Sequence, residues 1–180
     1  MNSYKEILTG LKKNDYRLQM QFYDMFAEIT YQGAFAILGN GSEAEEIMQD
    51  TMLKALTRTS LMNEDETQMR KILRRIAVNA AIDVMRKRKS YFGFEEIENI
   101  TDCTDEESLD ENMPTVENIR QAIDSLALGY RTILVLRLFE NMNFDEISGQ
   151  LKISQATARS QYSRALMKLR NYLKNNINKD

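Results

Sequence analysis

Histidine and tryptophan are absent from this 180-residue chain, and proline and cysteine occur once each. Without histidine, imidazole general acid–base catalysis and the common zinc centres are excluded. Cys103 has no second cysteine to pair with, so no internal disulfide and no thiolate metal cluster is expected. Seven glycines and the single Pro114 are too few for the turns of a sandwich or a barrel. No run of about 18 apolar residues exists, so no membrane-inserted helix is expected. The N-terminal stretch is polar and carries no signal-peptide core. These absences point to a reducing cytoplasm. Hydrophobic residues make up 43% of the chain, enough for a packed core. Leu, Met, Glu, Lys, Gln and Ala recur, which favours helices. The length fits one large domain or two small ones.

Charge is unevenly spread. The net charge of −3 conceals two basic helical stretches separated by an acidic one. Arg70, Lys71, Arg74, Arg75, Arg86, Lys87, Arg88 and Lys89 face a single carboxylate, Asp83. From Leu151 to Lys174 there are Lys152, Arg159, Arg164, Lys168, Arg170 and Lys174, with no carboxylate. Between them, residues 90–118 hold only acidic charge, including Glu95, Glu96, Asp105, Glu106 and Glu107. Two cationic faces on one tether suit two grips on a polyanion, most simply a nucleic acid.

Apolar residues recur at helical spacing from Asn14 to Leu38, through Leu18, Phe22, Phe26, Ala34 and Ile37. Gly39-Asn40-Gly41 ends that helix, with Gly supplying the left-handed cap. Ser42 reads as the next N-cap and Glu45 as its capping-box partner. The second helix runs to about Arg58, and Thr59 to Gln68 reads as a polar loop. A third helix spans about Thr67 to Lys89, with Met69, Ile72, Leu73, Ile76, Ala77, Ala80, Ile82, Val84 and Met85 as its buried stripe. Residues 91–115 lack periodicity and carry like charge, as an extended linker does. Ile119, Ala122, Ile123 and Leu126 then mark a short helix, and Ile133 to Phe139 another. The chain is expected to be all-α, with two small helical domains, 1–90 and 116–180, joined by the acidic linker.

Near the C-terminus, Phe144–Leu151, a tight Lys152-Ile153 step and a helix opened by Ser154 have the form of a DNA-binding helix-turn-helix. Ala158, Tyr162, Ala165, Leu169 and Tyr172 make a packing stripe. Gln155, Arg159, Ser160, Ser163 and Arg164 fall on the other side, where Arg can fork onto guanine and Gln or Ser can reach base edges. An ordinary helical hairpin with a solvated basic face is the alternative. Lys152 sits where a left-handed residue is wanted, at a cost of about 1 kcal/mol for a non-glycine. In the third helix the cations line either a solvated face or a phosphate track. Asn79 is either buried and hydrogen-bonded or a contact to nucleic acid. Glu43, Glu46 and Asp50 share a face that either offsets the helix dipole or docks a basic protein.

In their order along the chain, these segments resemble the extracytoplasmic-function group of bacterial RNA polymerase sigma factors, within the sigma-70 family. Ala44–Ala55 resembles the family's AEDIVQETFLKA segment, and Ile72–Arg88 its WLYRIARNLAIDYLRRR segment. Phe144–Ser148 and Ser154–Ala165 resemble its SYEEIA and SxGTVKSRLSRA segments. The likeness leaves out the tether and the first dozen residues. It departs from the family at four places: Ile72 stands where Trp is frequent, Leu126-Ala127 replaces Leu-Pro, Lys152 replaces the turn Gly, and Tyr162 replaces a smaller aliphatic residue.

The resemblance implies a binding protein with no bond chemistry and no cofactor or metal. Glu46, Gln49 and Asp50 would dock on the clamp helices of core RNA polymerase. The loop from Asn63 to Gln68, with Asn63 and Glu64, would hold a flipped base of the −10 element. Arg75, Asn79, Arg86 and Arg88 would grip the melted strand. Gln155, Thr157, Arg159, Ser160, Ser163 and Arg164 would read the −35 element. The partners implied are core polymerase, promoter DNA and an anti-sigma factor. Two rival readings are a stand-alone helix-turn-helix regulator, which would leave the acidic face without a task, and a sigma-like adaptor that binds a regulatory protein and no promoter.

Overall fold

Ser3 starts the first helix by accepting from the Glu6 N–H, while the Glu6 carboxylate accepts from the Ser3 N–H at 2.7 Å. The computed structural model describes residues 3–58, 62–63, 65–87 and 115–177. This helix, α1 (Tyr4–Lys12), was not expected from periodicity, which opened regular structure at Asn14. It buries Ile7 and Leu11. At Asn14 the chain takes a left-handed turn, φ 55°. Asp15 then caps α2 (Tyr16–Leu38), accepting from the N–H groups of Arg17 and Leu18. Gly39 ends α2 with φ 62°, as the sequence suggests.

Helix α3 (Gly41–Thr57) corrects the expected start. Asn40, not Ser42, is its N-cap, and the Asn40 side chain accepts from the Glu43 N–H at 3.2 Å. Because Gly39 reverses the chain in one residue, Asn40 already has the extended backbone of a cap. Ser42 is therefore inside the first turn. Helix α4 (Glu66–Lys87) starts slightly early, with the Asp65 carboxylate accepting from the Thr67 and Gln68 N–H groups. Glu66, expected in the loop, opens its first turn.

Helices α1 to α4 enclose one core. Phe22 and Phe26, with ring centroids 4.7 Å apart, sit among Ile7, Leu11, Met48, Met52, Met69 and Leu73. Helix α4 buries Met69, Leu73, Ala77, Val78, Ala81, Ile82 and Met85. Ile72, Ile76, Ala80 and Val84, expected in the stripe, are only half-buried. Burial follows the four-residue ridge that α4 presents to α2, rather than every apolar position. At Gly33 the two helices come close enough that a Cβ would lie 3.1 Å from Arg74 Cγ.

The chain divides into two compact units, one ending at residue 88 and the other beginning at 89. The expected acidic linker lies outside the described residues up to 114. In the second unit Thr115 caps α5 (Val116–Ser125). Helix α6 (Leu128–Leu134) runs into a π-helical turn, Val135–Phe139, closed by the Glu140 N–H on the Val135 carbonyl. Asn143 caps α7 (Phe144–Leu151) with Glu146 as its capping-box partner. Lys152 ends α7 at φ 56° and ψ 44°, the left-handed position expected of it. Ser154 then caps α8 (Gln155–Ile177), accepting from the Thr157 N–H at 3.0 Å. Helices α5, α6 and α7 all pack on α8. Ile133, Leu134, Leu136, Ile147, Ala158 and Ala165 are fully buried between them. No described helix is long and apolar enough to cross a membrane.

Candidate functional site

Helix α3 turns its outer face to solvent through Glu46, Gln49 and Asp50, all exposed. The Gln49 amide donates to Glu45 at 3.2 Å, one turn back. Dipole compensation accounts for acids in the first turn, but Asp50 lies well beyond it. On the same face, one turn past Gln49 and Asp50, Leu53 is 61% exposed. That apolar residue was missed in the sequence. The signal for it was its place at the interval of Glu46 and Gln49, outside the buried series Ile47, Met48, Thr51, Met52 and Ala55.

Helix α4 sorts its cations. Arg70 is engaged inward, bridging Glu66 at 3.0 Å and lying 5.3 Å over the Phe26 ring. Arg86 bridges Asp83 at 2.6 Å. Lys71, Arg75 and Asn79 are exposed at four-residue steps, so they form one stripe on the surface. Exposure of Asn79 removes the buried alternative for it. Before α4, the half-buried Asn63 is held twice. Its side chain accepts from the Asp65 N–H at 2.8 Å, and its carbonyl accepts from the Tyr4 hydroxyl at 2.8 Å. Burial, with Glu66 and Asp65 nearby, pushes the Tyr4 hydroxyl up to about 12. A cavity of about 360 Å³ lies beside this contact, with Leu8, Leu56 and Met62 in its wall and Lys5 and Lys12 among its lining. Glu64 and Arg88, also expected to act here, lie outside the described residues.

Helix α8 separates its expected readers. Gln155, Arg159 and Ser163 are exposed on one side, and Ser160 is half-exposed at its edge. Thr157 turns back to the cap, its hydroxyl 2.8 Å from that of Ser154. Arg164 is not on the exposed face: it is 8% exposed, beside the buried Gln161. Three helices pack on α8, and this widens its buried arc beyond the expected stripe of small and aromatic residues. Arg159 lies 5.7 Å over the Phe144 ring.

Sequence comparison matches residues 22–91 to sigma-70 region 2 and residues 116–169 to sigma-70 region 4. The two matches fall, in order, on the two compact units. The chain belongs to the sigma-70 family. It is a sigma factor of the extracytoplasmic-function group. It is 29% identical to the RNA polymerase sigma factor SigV of Bacillus subtilis over 142 residues, covering 78% of this chain and 81% of that protein. It is 26% identical to the ECF RNA polymerase sigma factor SigW of the same organism over 181 residues, covering 94% and 96%. Among solved structures it is similar in fold to the sigma factor RpoE of Bartonella quintana, crystallised with the anti-sigma factor NepR. That match has a TM-score of 0.51 at 19% identity and covers 86% of this chain and 96% of that one.

Within the sigma-70 frame, the region 2 match takes in α3, α4 and most of α2 but omits α1. The Tyr4 contact therefore reaches the α3–α4 connection from outside the matched segment. The region 4 match takes in α5 to α7 and the first two-thirds of α8, including every exposed candidate reader.

Proposed function

We propose that the acidic face of α3 docks this sigma factor on core RNA polymerase through Glu46, Gln49 and Asp50, with Leu53 as an apolar contact at its C-terminal edge. Region 2 then captures an unpaired base of the −10 element at the connection that holds Asn63. Lys71, Arg75 and Asn79 follow the backbone of the same strand. Region 4 lays α8 in the major groove of the −35 element, where Gln155, Arg159 and Ser163 face the bases and the Ser154 cap offers the positive helix end to a phosphate. Arg164 supports the packing of α8. Residues 1–90 and 116–180 are two modules, and the acidic segment between them spans the distance from one element to the other. Extruding a base costs a few kcal/mol of stacking, offset by pocket contacts and by the binding energy of the polymerase.

The observation that carries this reading is the exposed Gln155–Arg159–Ser163 face on a Ser-capped helix after a left-handed turn, in a chain with a second cationic stripe on α4. A solvated hairpin has no need of both. An anti-sigma factor fits as a further partner, since the RpoE structure it resembles is of such a complex. The test is in vitro transcription with purified core polymerase and genomic fragments. Specific start sites are expected, and they should vanish when Arg159 is changed to Glu. Failure of the wild-type chain to direct any start site would overturn the proposal.

A further inference from the structure

Phe144 opens α7 with its ring half-exposed. Tyr162 of α8 meets it edge-on, with centroids 5.6 Å apart and planes at 67°. Such edge-to-face pairs are mutually stabilising and fix the orientation of both rings. Two guanidinium groups lie on the Phe144 ring: Arg137 at 5.2 Å and Arg159 at 5.7 Å from its centroid. Arg137 is itself fastened, donating from Nη1 to the Met142 carbonyl at 3.0 Å. Arg159 has no such anchor among the described residues, and it is exposed on the face shared with Gln155 and Ser163. A long exposed arginine normally loses rotamer freedom when it binds, and that loss weakens binding. A ring that already holds the guanidinium removes part of it.

We propose that the Phe144–Tyr162 pair is a platform that holds the Arg159 guanidinium ready to fork onto the paired acceptors of a guanine edge. Phe144 and Tyr162 are then positioning residues that set base preference without touching DNA. Among the four departures from the family pattern, Tyr162 is the one that falls in α8, so the platform belongs to this chain's own sequence. The inference rests on the reading of α8 as the −35 reader.

The experiment uses holoenzyme and a duplex library randomised at the −35 element and joined to a fixed −10 element. Bound sequences are counted for the wild-type chain and for R159A, F144L, Y162L, F144Y and F144L/R159A. R159A is expected to abolish preference at one base pair. F144L and Y162L should lower the preference at that same pair about two- to fivefold, the worth of an exposed cation–π contact. F144Y keeps a ring and should keep the preference. In the R159A background, F144L should change nothing further. Helix content and melting temperature identify any variant that fails to fold, and Y162L then carries the test alone. An even loss over all sequences, or a loss that persists without Arg159, would overturn the platform. No position-specific effect of R159A would instead overturn the reading of α8 itself.

Discussion

Tyr4 is half-buried, its ring edge-on to Phe26 at 6.0 Å and its hydroxyl donating to the Asn63 carbonyl. Its ionisation is pushed up to about 12, first by burial and then by Glu66 and Asp65. The folded state therefore prefers the neutral phenol more strongly than the unfolded chain does, whose tyrosine titrates near 10. Tyr4 contributes its full stability below pH about 10 and loses it as pH rises through about 12. Tyr4→Phe removes the hydrogen bond, at about 0.5–1.5 kcal/mol, and with it the titration. Urea unfolding across this range should show a stability gap between wild type and Tyr4→Phe that is constant to pH about 10 and narrows above it. A second single-residue prediction concerns Ala127. Its φ of −56° suits proline, and Leu126 before it has the extended backbone that proline demands, φ −71° and ψ 143°. Ala127 is exposed, so a ring there meets little. Ala127→Pro should raise stability by about 0.4–1 kcal/mol by restricting the unfolded chain, which thermal melting would register.

At the scale of elements, α1 is the least visible helix in the sequence, yet it lies very close to α2 at Gly10. A Cβ on Gly10 would fall 2.0 Å from Leu18 Cδ1 and 2.7 Å from Leu18 Cβ. The second distance cannot be relieved by a rotamer change, because Leu18 Cβ moves only with the backbone. Gly10→Ala should thus push α1 off α2 and cost about 1–3 kcal/mol, measured as a lower denaturation midpoint with the helix content of α2 to α4 retained. Helix α1 was illegible because its apolar signal is only Ile7, Leu8 and Leu11 in a nine-residue helix. The Ser3–Glu6 capping box was its one clear mark. Helices α2, α3 and α8 were legible because each is long enough for its periodicity to repeat over several turns. Two kinds of error remained. The N-cap of α3 was placed at Ser42 because Ser and Glu form a familiar spacing, while Asn40 fulfils the same chemistry nearer to Gly39. Charge and its place opposite the packing stripe set Arg164 with the candidate DNA readers, yet the helices around α8 cover it. Sequence spacing reports one helix's own faces and not how many neighbours will press on them. The exposed face of Gln155, Arg159 and Ser163 was legible because polar residues recur there at four-residue steps.

At the scale of the whole molecule, the chain is acidic, with an isoelectric point near 5.2, yet it presents cationic stripes on α4 and α8. Net charge opposes approach to DNA, and the local stripes favour it. If core polymerase docks on the acidic α3 face, as proposed, part of the opposing charge is removed from solution, and DNA binding should be strong only in the holoenzyme. The stripe on α4 can be counted. Of its cations, Arg70 and Arg86 are held in ion pairs within the helix, whereas Lys71 and Arg75 are exposed side by side. If Lys71 and Arg75 each neutralise one phosphate of the melted strand, replacing both with Gln removes two counterion-release events. For single strands each contributes about 0.7 to the slope of log affinity against log salt. Holoenzyme carrying K71Q and R75Q should therefore bind a pre-melted −10 fork with a slope smaller in magnitude by about 1.4. Its binding to a −35 duplex, which reaches only α8, should keep the wild-type slope. An unchanged slope on the fork would mean that the α4 stripe faces solvent in the complex and that the strand runs elsewhere on region 2.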